Sequence, residues 1–126
     1  MRPLLFAIGL AACTSHVSGD LTVDGTPFKV TTCRSGAAYN FSGLQITNDQ
    51  GIQLRVMQKV DGTVAVAVFA PNAAKGDTVS DNCGTIKIET QNSKINNVRN
   101  VEGSINLACE GAGHKVAGSL TFENCH

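Results

Sequence analysis

The sequence predicts an all-β protein, an antiparallel β-sandwich or a small β-barrel of about eight strands. Apolar residues recur at every second position through most of the chain, which is the period of a half-buried strand. Gly-containing turns separate these segments, and no segment carries the 3.6-residue apolar period of an amphipathic helix. The 126 residues suffice for one globular domain but not for two.

The first alternating segment predicts a hairpin around Asp24-Gly25. Leu21 and Val23 alternate with polar residues before this pair, and a second apolar segment follows it. An Asp-Gly pair favours a tight type I′ turn because both residues tolerate a positive φ. The pair Asp61-Gly62 predicts a second turn of the same type.

The later part of the chain predicts the interior strands. Residues 63–69 are apolar on both faces, which is typical of a central strand. Residues 98–109 and 114–122 predict the last two strands, and each carries a mid-strand glycine, Gly103 and Gly118. A glycine in such a place predicts a bulge or the close approach of another backbone.

The aromatic side chains are predicted to lie in the core, because they fall in phase with the alternating apolar positions. This leaves no aromatic platform for stacking on a ligand. The residues concerned are Phe28, Tyr39, Phe41, Phe69 and Phe122.

Charge and composition argue against several classes of function. Ten basic residues balance ten acidic ones, so no net field attracts nucleic acid, and no nucleic-acid partner is expected. The aspartates fall at turns, the glutamates fall out of phase with the apolar positions, and His16, His114 and His126 are expected to be exposed. No nucleophile or nucleotide motif occurs, so we expect no catalytic residue, no metal site, no cofactor and no enzyme activity.

The N-terminus has the order of a secretory signal: Arg2, an apolar run over residues 4–10, then small residues. Leu10-Ala11-Ala12-Cys13 resembles the lipobox of bacterial lipoproteins. The resemblance implies that residues 1–12 are removed, that Cys13 is lipidated and that residues 13–19 tether a β domain of residues 20–126 to a membrane. It also implies the outer membrane rather than the inner one, because Thr14 is not acidic. The alternative is an ordinary cleaved signal, which would release a secreted or periplasmic protein.

The cysteine count agrees with an exported protein. Five is an odd number, and lipidation of Cys13 leaves Cys33, Cys83, Cys109 and Cys125, which can form two disulfides in an oxidising compartment. Four cysteines allow three pairings, and the sequence does not choose among them. No C-x-x-C pair occurs, which argues against a structural zinc site.

The polar stretch over residues 91–100 is predicted to be a connection between strands and is the candidate recognition loop. Asparagine offers adaptable hydrogen bonds there, and one apolar residue stands among polar neighbours. The alternative is a plain connection in which asparagine supports left-handed turns. The candidate residues are Asn92, Lys94, Ile95, Asn96, Asn97 and Arg99.

A second resemblance concerns a possible partner. Ser35-Gly36-Ala37-Ala38-Tyr39 and Lys75-Gly76 resemble the S-G-x-x-Y motif and the K-G loop of small lipoprotein lysozyme inhibitors, which are disulfide-bonded β-barrels. In this chain the Lys-Gly pair begins 36 residues after Tyr39 instead of directly beyond it.

Together these features predict a small lipoprotein of the bacterial envelope that serves as a non-catalytic binding or structural module. Its expected partners are a membrane, through the lipid on Cys13, and a protein or other envelope component that the sequence does not identify. The alternative is a secreted soluble inhibitor or binding protein without a lipid anchor.

Overall fold

The computed structural model describes residues 15–95 and 98–126, and Cys13 and the predicted signal segment lie outside them. Within the described residues the chain forms ten strands and one 3-10 helix, η1 (Gly36–Tyr39). The strands are β1 (His16–Val23), β2 (Thr26–Pro27), β3 (Val30–Ser35), β4 (Gly43–Asn48), β5 (Gln53–Gln58), β6 (Val64–Phe69), β7 (Asp77–Ser80), β8 (Gly84–Ile95), β9 (Val98–Gly111) and β10 (His114–Cys125).

The strands form two antiparallel sheets that face each other as a sandwich, which confirms the predicted fold class. Sheet A has the order β2-β1-β10-β9-β8, and sheet B has the order β3-β4-β5-β6-β7. The core lies between them and consists mainly of Val, Leu and Ile side chains from both inner faces. Strand β6 is buried on both faces, as predicted, because Val66 faces the core while Ala65 and Ala67 are covered on the other side.

Strand β1 begins four residues earlier than the predicted domain start. It pairs with β10 from His16 opposite Glu123 to Val23 opposite Val116. Residues 16–19, assigned to the tether from the sequence, therefore belong to sheet A. The reason is tertiary: Val17 packs against the core, and β10 supplies a hydrogen-bonding partner that the local sequence does not reveal.

The two Asp-Gly turns differ. At Asp24-Gly25 both residues have positive φ, 54° and 80°, which confirms the predicted type I′ geometry. In the second turn only Gly62 has a positive φ, and its N–H donates to the carbonyl of Lys59 at 2.9 Å. The Asp61 carboxylate instead accepts from the backbone N–H of Thr63 at 3.0 Å. The type I′ prediction is therefore wrong there, because this bond stabilises a longer loop.

The mid-strand glycines confirm the predicted close approach of backbones. A Cβ on Gly118, where φ is 134°, would collide with the carbonyl oxygen of Asp20 in β1. A Cβ on Gly103 would meet the carbonyl oxygen of Lys87 in β8. These contacts let β9 and β10 lie close to their neighbours at the centre of sheet A.

Two disulfides form, and the structure settles their pairing. Cys33 of β3 bonds to Cys125 of β10, so this bridge joins sheet B to sheet A. Cys83, just before β8, bonds to Cys109 of β9. Cys33, Cys109 and Cys125 are buried, whereas Cys83 is half-buried.

The two bridges should differ in their effect on stability. They close loops of 92 and 26 residues. Loop-closure entropy then gives about 4–5 kcal/mol for Cys33–Cys125 and about 3–4 kcal/mol for Cys83–Cys109. We expect the pair Cys33→Ala and Cys125→Ala to lower the free energy of unfolding more than the pair Cys83→Ala and Cys109→Ala. Urea unfolding measures the free energy of unfolding of both variants. A larger loss in the variant Cys83→Ala and Cys109→Ala would contradict the expectation that the bridge with the longer loop contributes more.

Candidate functional site: the outer face of sheet B

A row of side chains crosses the outer face of sheet B. Arg34 of β3 lies opposite Gln45 of β4, Gln45 lies opposite Arg55 of β5, and Arg55 lies opposite Ala67 of β6. The neighbours of Arg55 in β5, Leu54 and Val56, are fully buried in the core. Because alternate residues of a strand point to opposite faces, Arg55 points away from the core.

Arg55 is enclosed by three aromatic rings. Its guanidinium carbon lies 4.9 Å from the ring centre of Phe69, 5.3 Å from that of Tyr39 and 5.4 Å from that of Phe41. These distances are within the range of cation–π attraction. Its Nε also donates to the Oε1 of Gln45 at 2.7 Å. We call these five residues the Arg55 cluster, and all except the buried Gln45 are half-buried.

The helix η1 places two of these rings on the outside. The Ser35 hydroxyl caps it by accepting from the N–H of Ala37 at 3.2 Å, and Asn40 ends it with a left-handed φ of 67°. The N–H of Phe41 then donates to the carbonyl of Gly36 at 3.1 Å. A Cβ on Gly36 would lie 2.5 Å from the Phe41 ring, so only glycine leaves room for that ring.

The prediction that Phe28, Tyr39, Phe41, Phe69 and Phe122 lie in the core is therefore correct for two residues and wrong for three. Phe28 and Phe122 are buried in the core. Tyr39 and Phe41 leave the alternating pattern because η1 interrupts it, and Phe69 follows the outward face of β6. The outer face of sheet B thus carries an aromatic surface that period-two alternation does not indicate.

The outer face of sheet B is also positively charged. Strands β3 to β6 contain two arginines and no Asp or Glu. In the described part of the chain, neither Arg34 nor Arg55 forms a salt bridge, since the two ion pairs found there both involve His114. Arg34 donates from Nη1 to the hydroxyl of Tyr39 at 3.3 Å, so both cations contact the same tyrosine.

The two segments that resemble lysozyme-inhibitor motifs lie on this face. Tyr39 ends the first segment and contacts Arg55. The second segment reaches the cluster through Gly76, where an added Cβ would lie 2.6 Å from the Phe69 ring. The two segments are therefore distant in sequence but both lie beside the Arg55 cluster, one through Tyr39 and the other next to Phe69.

The outer face of sheet A carries a group of acidic residues instead. Glu89 of β8 lies opposite Glu102 of β9, and Glu123 of β10 lies opposite His16 of β1. These four residues line a shallow cleft of about 480 Å³ and are exposed, as the sequence predicts. Among the described residues, no group of three or more His, Cys, Asp or Glu is arranged to hold a metal ion.

The candidate recognition loop is not a loop in its described part. Asn92, Lys94 and Ile95 belong to β8, and Arg99 belongs to β9, with Lys94 opposite Arg99. The predicted polar connection is instead the end of a long hairpin of sheet A.

The strand continues through this polar segment because β9 pairs with it, and a contact with β10 adds to this pairing. Gln91 accepts from the N–H of Asn124 at 2.9 Å and donates to its side-chain oxygen at 3.1 Å. A bulge between Thr90 and Lys94 accommodates the irregular register. The remaining candidates, Asn96 and Asn97, lie outside the described residues.

His114 corrects the prediction that the histidines are exposed and loosely held. Its Nδ1 lies 2.9 Å from Asp24 in the turn between β1 and β2, and its Nε2 lies 3.3 Å from Asp77 in β7 of sheet B. The side chain is 24% exposed. The hydrogen bond to Asp24 raises the pKa of His114 above its ordinary 6.5, with a further contribution from Asp77, while burial opposes the shift.

The carboxyl group of Asp24 shifts in the opposite direction. Hydrogen bonds from His114 and from the backbone N–H of Lys115 lower the pKa of Asp24 below its ordinary 3.8. Charged His114 and charged Asp24 therefore stabilise each other at the edge between the two sheets.

Comparisons with protein-family models, curated proteins and solved structures find no match to this chain. Within residues 15–95 and 98–126, no helix has the length and apolar character needed to cross a membrane.

The His114 contacts predict a pH-dependent stability. A pKa raised by folding stabilises the folded state fully below pH 6.5, and this contribution is lost as the pH rises through the folded-state pKa. We expect His114→Gln to destabilise the protein by about 1 kcal/mol or less at pH 5.5, because partly exposed pairs are screened by solvent. The difference should shrink towards pH 8.5.

Urea unfolding of both proteins at the two pH values measures this effect. His16→Gln is the matched control, since His16 is exposed and forms no ion pair with the described residues. A destabilisation by His114→Gln that grows towards pH 8.5 would contradict the expected direction of the pKa shift.

Proposed function

We propose that this protein is a small lipid-anchored lipoprotein of the bacterial envelope that acts as a non-catalytic binding module. The observation that carries the binding role is the Arg55 cluster. It combines a guanidinium without a carboxylate partner among the described residues with three partly accessible aromatic rings. Arginine and aromatic residues are enriched where proteins bind their partners.

The proposed anchor places this domain close to a membrane. Thr14 and Ser15 alone separate Cys13 from β1, so the connection spans about 10 Å when extended. A stable anchor requires two or more acyl chains, as the lipobox resemblance implies. Because Thr14 is not acidic, the proposed location is the outer membrane.

A non-catalytic role is supported by the surroundings of the ionisable groups. Acid–base catalysis usually places a group with a shifted pKa in a cleft where it can reach a substrate. His114, whose pKa is raised, already has both ring nitrogens next to carboxylates. The glutamates of sheet A lie on an exposed face.

The anchor is tested by the mass of the native protein. We expect membrane-extracted protein to begin at Cys13 and to carry the added mass of acyl chains. Cys13→Ser should move the protein from the membrane fraction to the soluble fraction. A native protein that retains residues 1–12, or that starts at residue 13 without added mass, would contradict the lipid anchor.

The binding face is tested by photo-cross-linking in cells. We expect the photoreactive residue p-benzoylphenylalanine to form a defined adduct when it replaces Tyr39. The same residue in place of Ser119, which is exposed on the outer face of sheet A, is the matched control. Adducts at both positions, or at neither, would argue against a binding site on sheet B.

A second candidate function is a secreted inhibitor that resembles the lysozyme inhibitors. The observation that favours it is the position of Tyr39 and Gly76 around the same Arg55 cluster, although they are distant in sequence. Excess purified protein should then reduce the rate of cell-wall lysis by lysozyme, and Lys75→Ala should weaken the inhibition. Full lysozyme activity at a large excess of protein would exclude this candidate.

A further inference from the structure

We infer that the outer face of sheet B binds a phosphate group at Arg34 and Arg55. This inference rests on the proposed binding function and names the chemistry of its ligand. A phosphate presents pairs of oxygens that a guanidinium recognises with two parallel hydrogen bonds.

The first argument is an uncompensated pair of like charges. Arg34 and Arg55 are two strands apart, about 10 Å at the backbone, and both contact Tyr39. Arg55 is half-buried, whereas Arg34 is exposed. No carboxylate of the described residues lies within 4.0 Å of either guanidinium, and Asp77, the acid of β7, bonds to His114.

The second argument concerns unused donors. The Nε of Arg55 donates a hydrogen bond to Gln45, and the Nη groups of Arg55 make no hydrogen bond to the described residues. Arg34 commits one Nη1 donor to Tyr39. The side chains therefore keep the pair of N–H groups that an oxyanion accepts.

The third argument is rigidity. Three rings and one hydrogen bond hold the Arg55 guanidinium in place, so little side-chain entropy remains to be lost on binding. The rings keep partly exposed faces beside the cation. An anionic ligand with an adjacent flat or apolar part would contact them.

The charge distribution of the whole protein favours the same ligand. The chain has no net charge, yet the strands of sheet A mix acidic residues with cations such as Lys87, while β3 to β6 carry only arginines as charged residues. An anion therefore meets both signs of charge on the strands of sheet A and only positive charge on β3 to β6. The glutamates of sheet A are Glu89, Glu102, Glu110 and Glu123.

Two soluble phosphates distinguish the possible sources of the ligand. Phenyl phosphate represents a free small molecule, and dihexanoylphosphatidic acid represents a lipid headgroup. Dihexanoylphosphatidylcholine has a zwitterionic headgroup and serves as the ligand control. Each is titrated calorimetrically into the full native protein in a non-ionic detergent at low salt.

We expect saturable binding of the two anionic phosphates and not of the phosphatidylcholine. Arg55→Gln and Arg34→Gln should each weaken binding at least about tenfold, since each removes hydrogen bonds to a charged group. Arg55→Lys keeps the charge but not the two-donor geometry, so it should restore only part of the affinity. Lys87→Gln, on sheet A, is the matched control and should leave binding unchanged.

Tighter binding of the phosphatidic acid than of phenyl phosphate would support a headgroup ligand, and equal or weaker binding would support a free small molecule. Absence of saturable binding to the wild-type protein would overturn the inference. An equal loss in Lys87→Gln and Arg34→Gln would also overturn it, because binding would then follow net charge alone. If cross-linking at residue 39 succeeds while anion binding fails, the proposed function stands and only this inference is lost.

Discussion

The covalent bond between Cys33 and Cys125 is the constraint on which the rest of the sandwich depends. Each sheet has its own hydrogen-bonded ladder, so the sheets are otherwise held together mainly by the packing of modest aliphatic side chains and by His114 at the edge. The chain has no tryptophan, and among the described residues two aromatic rings, those of Phe28 and Phe122, lie in the core. A small aliphatic core gives limited stability, and a bridge across it restricts the unfolded chain. With the inner faces fixed in this way, the outer faces are available for other roles.

The two outer faces differ in character because their strands carry different residues. Sheet A presents glutamates at the end where β1 begins, and sheet B presents arginines among aromatic rings. The net charge of zero for the whole sequence does not reveal this difference between the two faces. In a two-layer protein the charge of each face follows from alternation along single strands, so a balanced composition is compatible with two faces of unlike charge. The Arg55 cluster follows from the same rule together with the turn that places Tyr39 and Phe41 outside.

Local sequence patterns predicted the features that depend on neighbouring residues. Alternation identified the all-β class and the buried strand β6, and the Asp24-Gly25 pair identified a type I′ turn. Features that depend on distant residues were missed. His114 bonds to Asp24, 90 residues earlier in the chain, and Gln91 of the polar segment bonds to Asn124, 33 residues later. The aromatic cluster was missed because η1 breaks the period that places every second residue in the core.

The pairing of β1 with β10 has a consequence for how the chain acquires its shape. Strand β1, the first strand of the described residues, lies in sheet A beside β10, the last of them, and β10 also separates β1 from β9. Until β10 is available, β1 has only the two residues of β2 as a neighbour. Such a long delay between a strand and its partner makes folding slow and leaves an open edge exposed. Sheet A is therefore complete only after β10 has been synthesised, and β1 waits for its main partner while the strands between them emerge.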